Sequence, residues 1–206
     1  MKKRSLTALV TLLTISAARA ADIGSTLHFN PSLSKEANPI VAVFGAGLPT
    51  LMILNFVFVT LFLLIPLFLY WRYPAATLPG QSPVNAREFI SLQLYGRVLP
   101  AASFLRGIVL GFPFPRNRLQ ALRAIGFVLT WMVAFASFHA AFSWWAINAW
   151  KWHGYQQFRA GYSFNGYPLL EVTLAYAFGV VAAIRYARME FATFLRQQQS
   201  SGACSA

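Results

Sequence analysis

From Pro39 to Trp71 the chain runs 33 residues without a charged side chain, and the next 52, Arg72 to Arg123, hold seven arginines, one glutamate and no lysine. That contrast constrains the fold more than any other feature. Leu48, Leu51, Met52, Ile53, Leu54, Phe56, Val57, Phe58, Leu61 and Leu63 belong to a stretch longer than the ~20 residues that cross about 30 Å of hydrocarbon. The run predicts a transmembrane helix with length to spare, and the arginines after it predict which side of the membrane it ends on.

Composition supports an all-α membrane protein. Of 206 residues, 57% are hydrophobic and only 11% charged, which leaves no material for a sizeable soluble core. A net charge of +12 could suggest nucleic acid, but the basic residues flank apolar runs instead of clustering on a folded polar face, so no nucleic-acid partner is expected. The single cysteine, Cys204, excludes an intrachain disulfide or thiolate metal cluster.

The first 20 residues have the form of a bacterial secretory signal. Lys2, Lys3 and Arg4 precede an apolar core from Leu6 to Ala17, and Ala18-Arg19-Ala20 forms an A-x-A site ahead of Ala21. Cleavage there is expected, leaving 186 residues; the alternative is an uncut anchor helix. Residues 21–38 then form a short periplasmic segment, with Asp22, Lys35 and Glu36 its charges.

Three transmembrane helices are expected after the signal, at residues 39–71, 124–150 and 167–187. The first carries Pro49 and Pro66, where kinks are tolerated if neighbours satisfy the freed carbonyls. Its Asn55 amide requires a partner on another helix, a contact worth on the order of 0.6 to 2 kcal/mol. The second ends in Trp144, Trp145, Trp150 and Trp152, an outer aromatic belt. Asn165-Gly166 and Pro168 mark the start of the third.

Ten arginines, seven in residues 72–123 plus Arg185, Arg188 and Arg196, fall on one side of this arrangement, against Lys35, Lys151 and Arg159 on the other. The positive-inside rule therefore places residues 72–123 and the tail, residues 188–206, in the cytoplasm, and the loop 151–166 in the periplasm. Within the basic loop, apolar residues on both sides of Pro100 predict two short interfacial helices with snorkelling Arg97 and Arg106. A fourth crossing over residues 98–114 is the alternative, and it would bury Arg106 at a cost of about 2.5 kcal/mol or more.

Candidate chemistry is sparse. His139 and His153 are 14 residues apart, which on one helix would return them to nearly the same face about 21 Å apart. Such a spacing resembles the haem-ligating helices of cytochrome b, so these two are the candidate cofactor ligands, with haem or quinone as the cofactor of a redox subunit. Facing histidines for each iron would have to come from another chain, because the remaining histidine is His28. Glu171 is an acid near a span and suits either a helix N-terminus, a pairing with Lys151 or Arg159, or the working carboxylate of a small transporter or membrane enzyme. Ser143 lies one turn from His139, and no nucleophile, zinc or phosphate-loop motif accompanies the pair. The expectation is a non-enzymatic inner-membrane subunit of a larger bacterial assembly such as secretion or conjugation machinery. Its partners would be membrane lipids and other subunits, with Asn55, Ser143 and Glu171 as polar contacts inside the membrane.

Overall fold

The computed structural model describes residues 2–33, 47–73, 78, 81–110, 113–164 and 167–203. Apart from a two-residue ladder, these form helices: α1 (Lys2–Phe29), α2 (Leu48–Phe58), α3 (Ile65–Arg72), α4 (Ala86–Tyr95), α5 (Ala101–Leu110), α6 (Arg118–Trp144), α7 (His153–Gly161) and α8 (Leu169–Ala203). The ladder pairs β1 (Ser163–Phe164) with β2 (Tyr167–Pro168) in antiparallel register. Residues Ser5–Phe29, Leu48–Arg72, Arg118–Ala149 and Leu169–Gln199 are each long and apolar enough to cross a membrane. Among the described residues there are thus four membrane-length helices, three of them the expected spans and the fourth the apolar core of the N-terminal segment.

α6 is the central helix, with α1, α3 and α8 packed on it. Two small-residue positions allow that closeness. A Cβ built on Gly126 would stand 2.0 Å from the Cβ of Pro66, so α6 meets the α3 backbone closely, and one on Gly179 would stand 2.4 Å from Met132 Sδ, so the Met132 side chain of α6 fills the space against α8. Pro66 also explains the shape of the second span. Lacking an N–H, it cannot close the ordinary bond to the carbonyl four residues back, and the helix widens into a π-turn at Val59–Leu64 with the Ile65 amide reaching Thr60.

The ends of the bundle differ in chemistry. Trp71 donates to Ser5 Oγ at 3.2 Å, so the start of α1 stands beside the arginine-bearing end of α3. At the opposite end His28 stacks on Trp145 and Phe29 on Trp144. Trp145, Trp150 and Trp152 are exposed there, as a headgroup belt requires.

α1 runs unbroken through Ala18-Arg19-Ala20, where the sequence suggests a cleavage site. Ile15 and Ala18 are buried with Leu63 and Ala134 in one apolar cluster. Residues 21–29, expected as part of a loose periplasmic segment, are helical, and residues 34–46 of that segment and the first span lie outside the described residues.

The basic loop contains the two short helices, separated around Pro100 as expected. Asn85 caps α4 by accepting from the Glu88 amide at 2.9 Å, and Gly96 ends it with φ 70°, a left-handed conformation that glycine takes without strain. α5 has 10 residues, about 15 Å of helix, half of what a crossing needs. α4 also packs on the rest of the protein, with Phe89 fully buried against Phe191 and Phe194 of α8. α8 has 35 residues, roughly 52 Å, more than the about 30 Å of a hydrocarbon core, and its last turns pack on α4. The expected tail at residues 188–206 is thus helical through Ala203 and packed against α4.

Candidate functional site

Polar side chains meet inside the bundle at three places, two of them on the half that ends in the tryptophans. α6 delivers His139 and, one turn later, Ser143. Beyond it the chain passes through a π-turn at Trp145–Ala149 and reverses at Lys151, which adopts φ 52° although it is not glycine. That reversal folds α7 back over the end of α6. The Tyr155 phenol then shares a 2.5 Å hydrogen bond with Ser143 Oγ and meets His139 Nε2 at 3.3 Å. Phe142 closes edge-on against Tyr155, and Phe135 stacks on the His139 ring.

One turn past Tyr155, Arg159 donates through Nε to Glu171 Oε1 at 2.6 Å. Glu171 stands in the first turn of α8, where the helix dipole favours a carboxylate. Of the partners open to Glu171 in sequence, Arg159 is the one it takes. Pro168 lies in β2 just ahead of that turn, and Asn165-Gly166 falls outside the described residues. α7 is therefore a strap, held to α6 through Tyr155 and to α8 through Arg159. At this site two buried atoms, His139 Nδ1 and Glu171 Oε2, face no hydrogen-bond partner among the described residues.

His153 is not brought to His139. It is exposed at the first residue of α7, past the reversal at Lys151, so the continuous helix that would align the two rings is absent. Along the same side of the chain Ser143 and Ala146 are buried and His139 half-buried, whereas Trp150 and His153 are exposed. Nor do Ser143, His139 and Glu171 form a relay of nucleophile, base and orienting acid. Tyr155 stands between the serine and the imidazole, and the carboxylate is bonded to Arg159. What this arrangement can do chemically is hold a hydroxyl, a phenol and an imidazole in one hydrogen-bonded chain beneath the aromatic belt.

The second polar site lies deeper. Arg19 of α1 donates to Asp22 Oδ2 at 2.7 Å, to Ser137 Oγ of α6 at 2.8 Å and to Asn55 Oδ1 of α2. Asn55 thus has the interhelical partner its position demands, and that partner is the middle residue of the A-x-A motif. Beside it a cavity of about 330 Å³ opens between α1 and α2, with Asp22, Thr26 and Asn55 among leucines. No residue of α2 is buried, so this contact ties down a helix that otherwise stands apart from the bundle.

The third site closes the arginine-bearing end. Arg123 of α6 donates to Gln120 Oε1 and, at 3.2 Å, to Glu190 Oε2 of α8, with its guanidinium 5.5 Å from the Tyr70 ring centre. Both charged side chains are sealed from solvent. Sequence reasoning passed over Arg19, Arg123, Tyr155 and Glu190. A period of four at Tyr186, Glu190 and Phe194, all buried, is the signal that the tail continues α8. Among the described residues no group of three or more histidines, cysteines or acids is placed to hold a metal. No protein-family model matches the chain, and neither a curated protein nor a solved structure matches it.

Proposed function

We propose that this chain is a non-enzymatic integral subunit of a larger assembly in the bacterial inner membrane, with secretion or conjugation machinery the class of assembly it fits. The observation that carries this reading is how the intramembrane polar groups are used. Arg19 joins α1 to α2 and α6, Arg123 joins α6 to α8, and Tyr155 and Arg159 strap α7 to α6 and α8. These are the groups an intramembrane enzyme or transporter would spend on a substrate, and here they hold helices together.

α2 supports a partner. Its Ile53, Phe56 and Val57 are exposed, and the cavity beside Asn55 leaves room along α1 for a neighbouring helix. In the orientation given by the positive-inside rule, the end carrying Arg72, Arg118, Arg185 and Arg188 faces the cytoplasm and the tryptophan belt faces the periplasm. The start of α1 falls on the cytoplasmic side in that orientation, and a cut after Ala20 would leave the new N-terminus in the periplasm. Photocrosslinking residues placed at Ile53 and Phe56 in native membranes test the proposal: discrete protein adducts are expected, and a chain that captures no protein and runs as a monomer in mild detergent overturns it.

The unpartnered Glu171 Oε2 favours one second reading, a small transporter or membrane enzyme working through that carboxylate. A Glu171→Gln chain that restores full function to a deletion strain removes it.

A further inference from the structure

α1 and α8 both pack on α6, and the space left between them toward the arginine-bearing end is a groove of about 500 Å³. Arg185, Arg188 and Arg196 of α8 line it, with Val181 and Ile184 on the same helix and Thr7 across from them on α1. Spacings of three and eleven residues return Arg188 and Arg196 close to the face of Arg185, so one stripe of α8 carries three guanidinium groups. Val181 and Ile184 precede them and stand deeper along the helix, both exposed.

The charge in this groove is uncompensated. Among the described residues neither Arg185 nor Arg188 meets a carboxylate, and Arg196 bonds only the Ala192 carbonyl of its own helix, through Nε. Glu190 also borders the groove, but it is buried and bonded to Arg123. An apolar wall grading into three free guanidinium groups matches a phospholipid read from acyl chain to phosphate. Basic recesses between membrane helices on the cytoplasmic side hold anionic headgroups in this way, and guanidinium is the cation best shaped for phosphate oxygens.

We propose that this groove binds an anionic phospholipid of the inner leaflet, its phosphate among Arg185, Arg188 and Arg196 and an acyl chain along Val181 and Ile184. The site rests on the membrane-embedded orientation above, and not on which assembly the chain joins.

Native mass spectrometry of the full chain in mild detergent, titrated with phosphatidylglycerol or phosphatidylcholine, tests the site. Wild type is expected to retain phosphatidylglycerol preferentially, and replacing all three arginines by glutamine is expected to weaken that binding about a hundredfold. Arg97→Gln with Arg106→Gln, which removes charge elsewhere on the same side, is expected to leave it unchanged. Because three substitutions can unseat a helix, the chain with lysine at the three positions is measured in parallel, and its binding should recover to within about tenfold of wild type. Equal binding of the two lipids, retention by the glutamine chain, a lysine chain no better than the glutamine chain, or an equal loss in the loop variant overturns the proposal. So does displacement of the lipid by millimolar inorganic phosphate, which would make the groove a bare anion site. Loss of lipid preference in a chain that still crosslinks through Ile53 and Phe56 fails this inference alone.

Discussion

Arg123 of α6 and Glu190 of α8 meet at 3.2 Å with side chains 0% and 2% exposed. Each ion has given up its water, so removing one strands the other. Glu190→Ala is expected to destabilise the protein by about 3 to 5 kcal/mol, whereas Arg123→Met combined with Glu190→Leu should cost less than either single change. Unfolding followed by circular dichroism in detergent gives the comparison, and a double variant as damaged as the sum of the singles contradicts it.

The approach of Gly126 to Pro66 leaves no room for a methyl group, because the nearest backbone atom of Pro66 would lie 2.8 Å from it. Gly126→Ala must push α3 off α6, at about 1 to 3 kcal/mol for overpacking. The same substitution at Gly24, where nothing lies within 4 Å, should be neutral or slightly stabilising through helix propensity. Melting temperatures of the two variants separate these outcomes.

Arg19 bears on processing. Cutting after Ala20 would remove Ile15, Ala18 and Arg19 from their contacts and leave Asn55 and Ser137 without the guanidinium. The intact mass of the purified, C-terminally tagged chain is therefore expected to match a protein that keeps α1. An N-terminus at Ala21 contradicts this. In the uncut chain, Asn55→Leu should cost on the order of 0.6 to 2 kcal/mol.

Tyr95 links the loop helices to pH. Burial raises its phenol above the ordinary value of 10.0. Its neutral form is favoured by folding, so its contribution is fully present below pH 10.0 and is lost as pH climbs from there through the raised folded value. Stability should fall over that alkaline interval, and Tyr95→Phe should shrink the fall. Denaturant midpoints of both chains at pH 9 and about pH 11 measure it; identical losses would show that Tyr95 has no part in them.

The long helices were legible because lipid leaves a simple record: an apolar run of sufficient length, bounded by aromatics and arginines. Three of the four stood out that way, and so did the need of Asn55 for a neighbour. Arg19 did not, because the pattern that makes it look like part of a peptidase site says nothing of a helix packed on α6. Glu190 stayed hidden for a related reason. Arginines surround it and give the segment a polar average, while Tyr186, Phe191 and Phe194 bury one face against α3, α4 and α6. Tyr155 depended on the reversal at Lys151, whose positive φ no glycine announces. Local composition recorded where the chain meets lipid, and long-range packing decided which polar groups meet one another.

The π-turn at Val59–Leu64 has a mechanical consequence. A wide turn holds one residue more than an α-turn, so the helix after it is rotated relative to the helix before it. Pro66, Leu67 and Tyr70 are consequently seated against the bundle, while α2, with no buried residue, is held at Asn55 by Arg19. The second span is thus bolted by packing after the wide turn and pinned by one polar clasp before it, which leaves Ile53, Phe56 and Val57 uncovered without loosening the joint at Gly126.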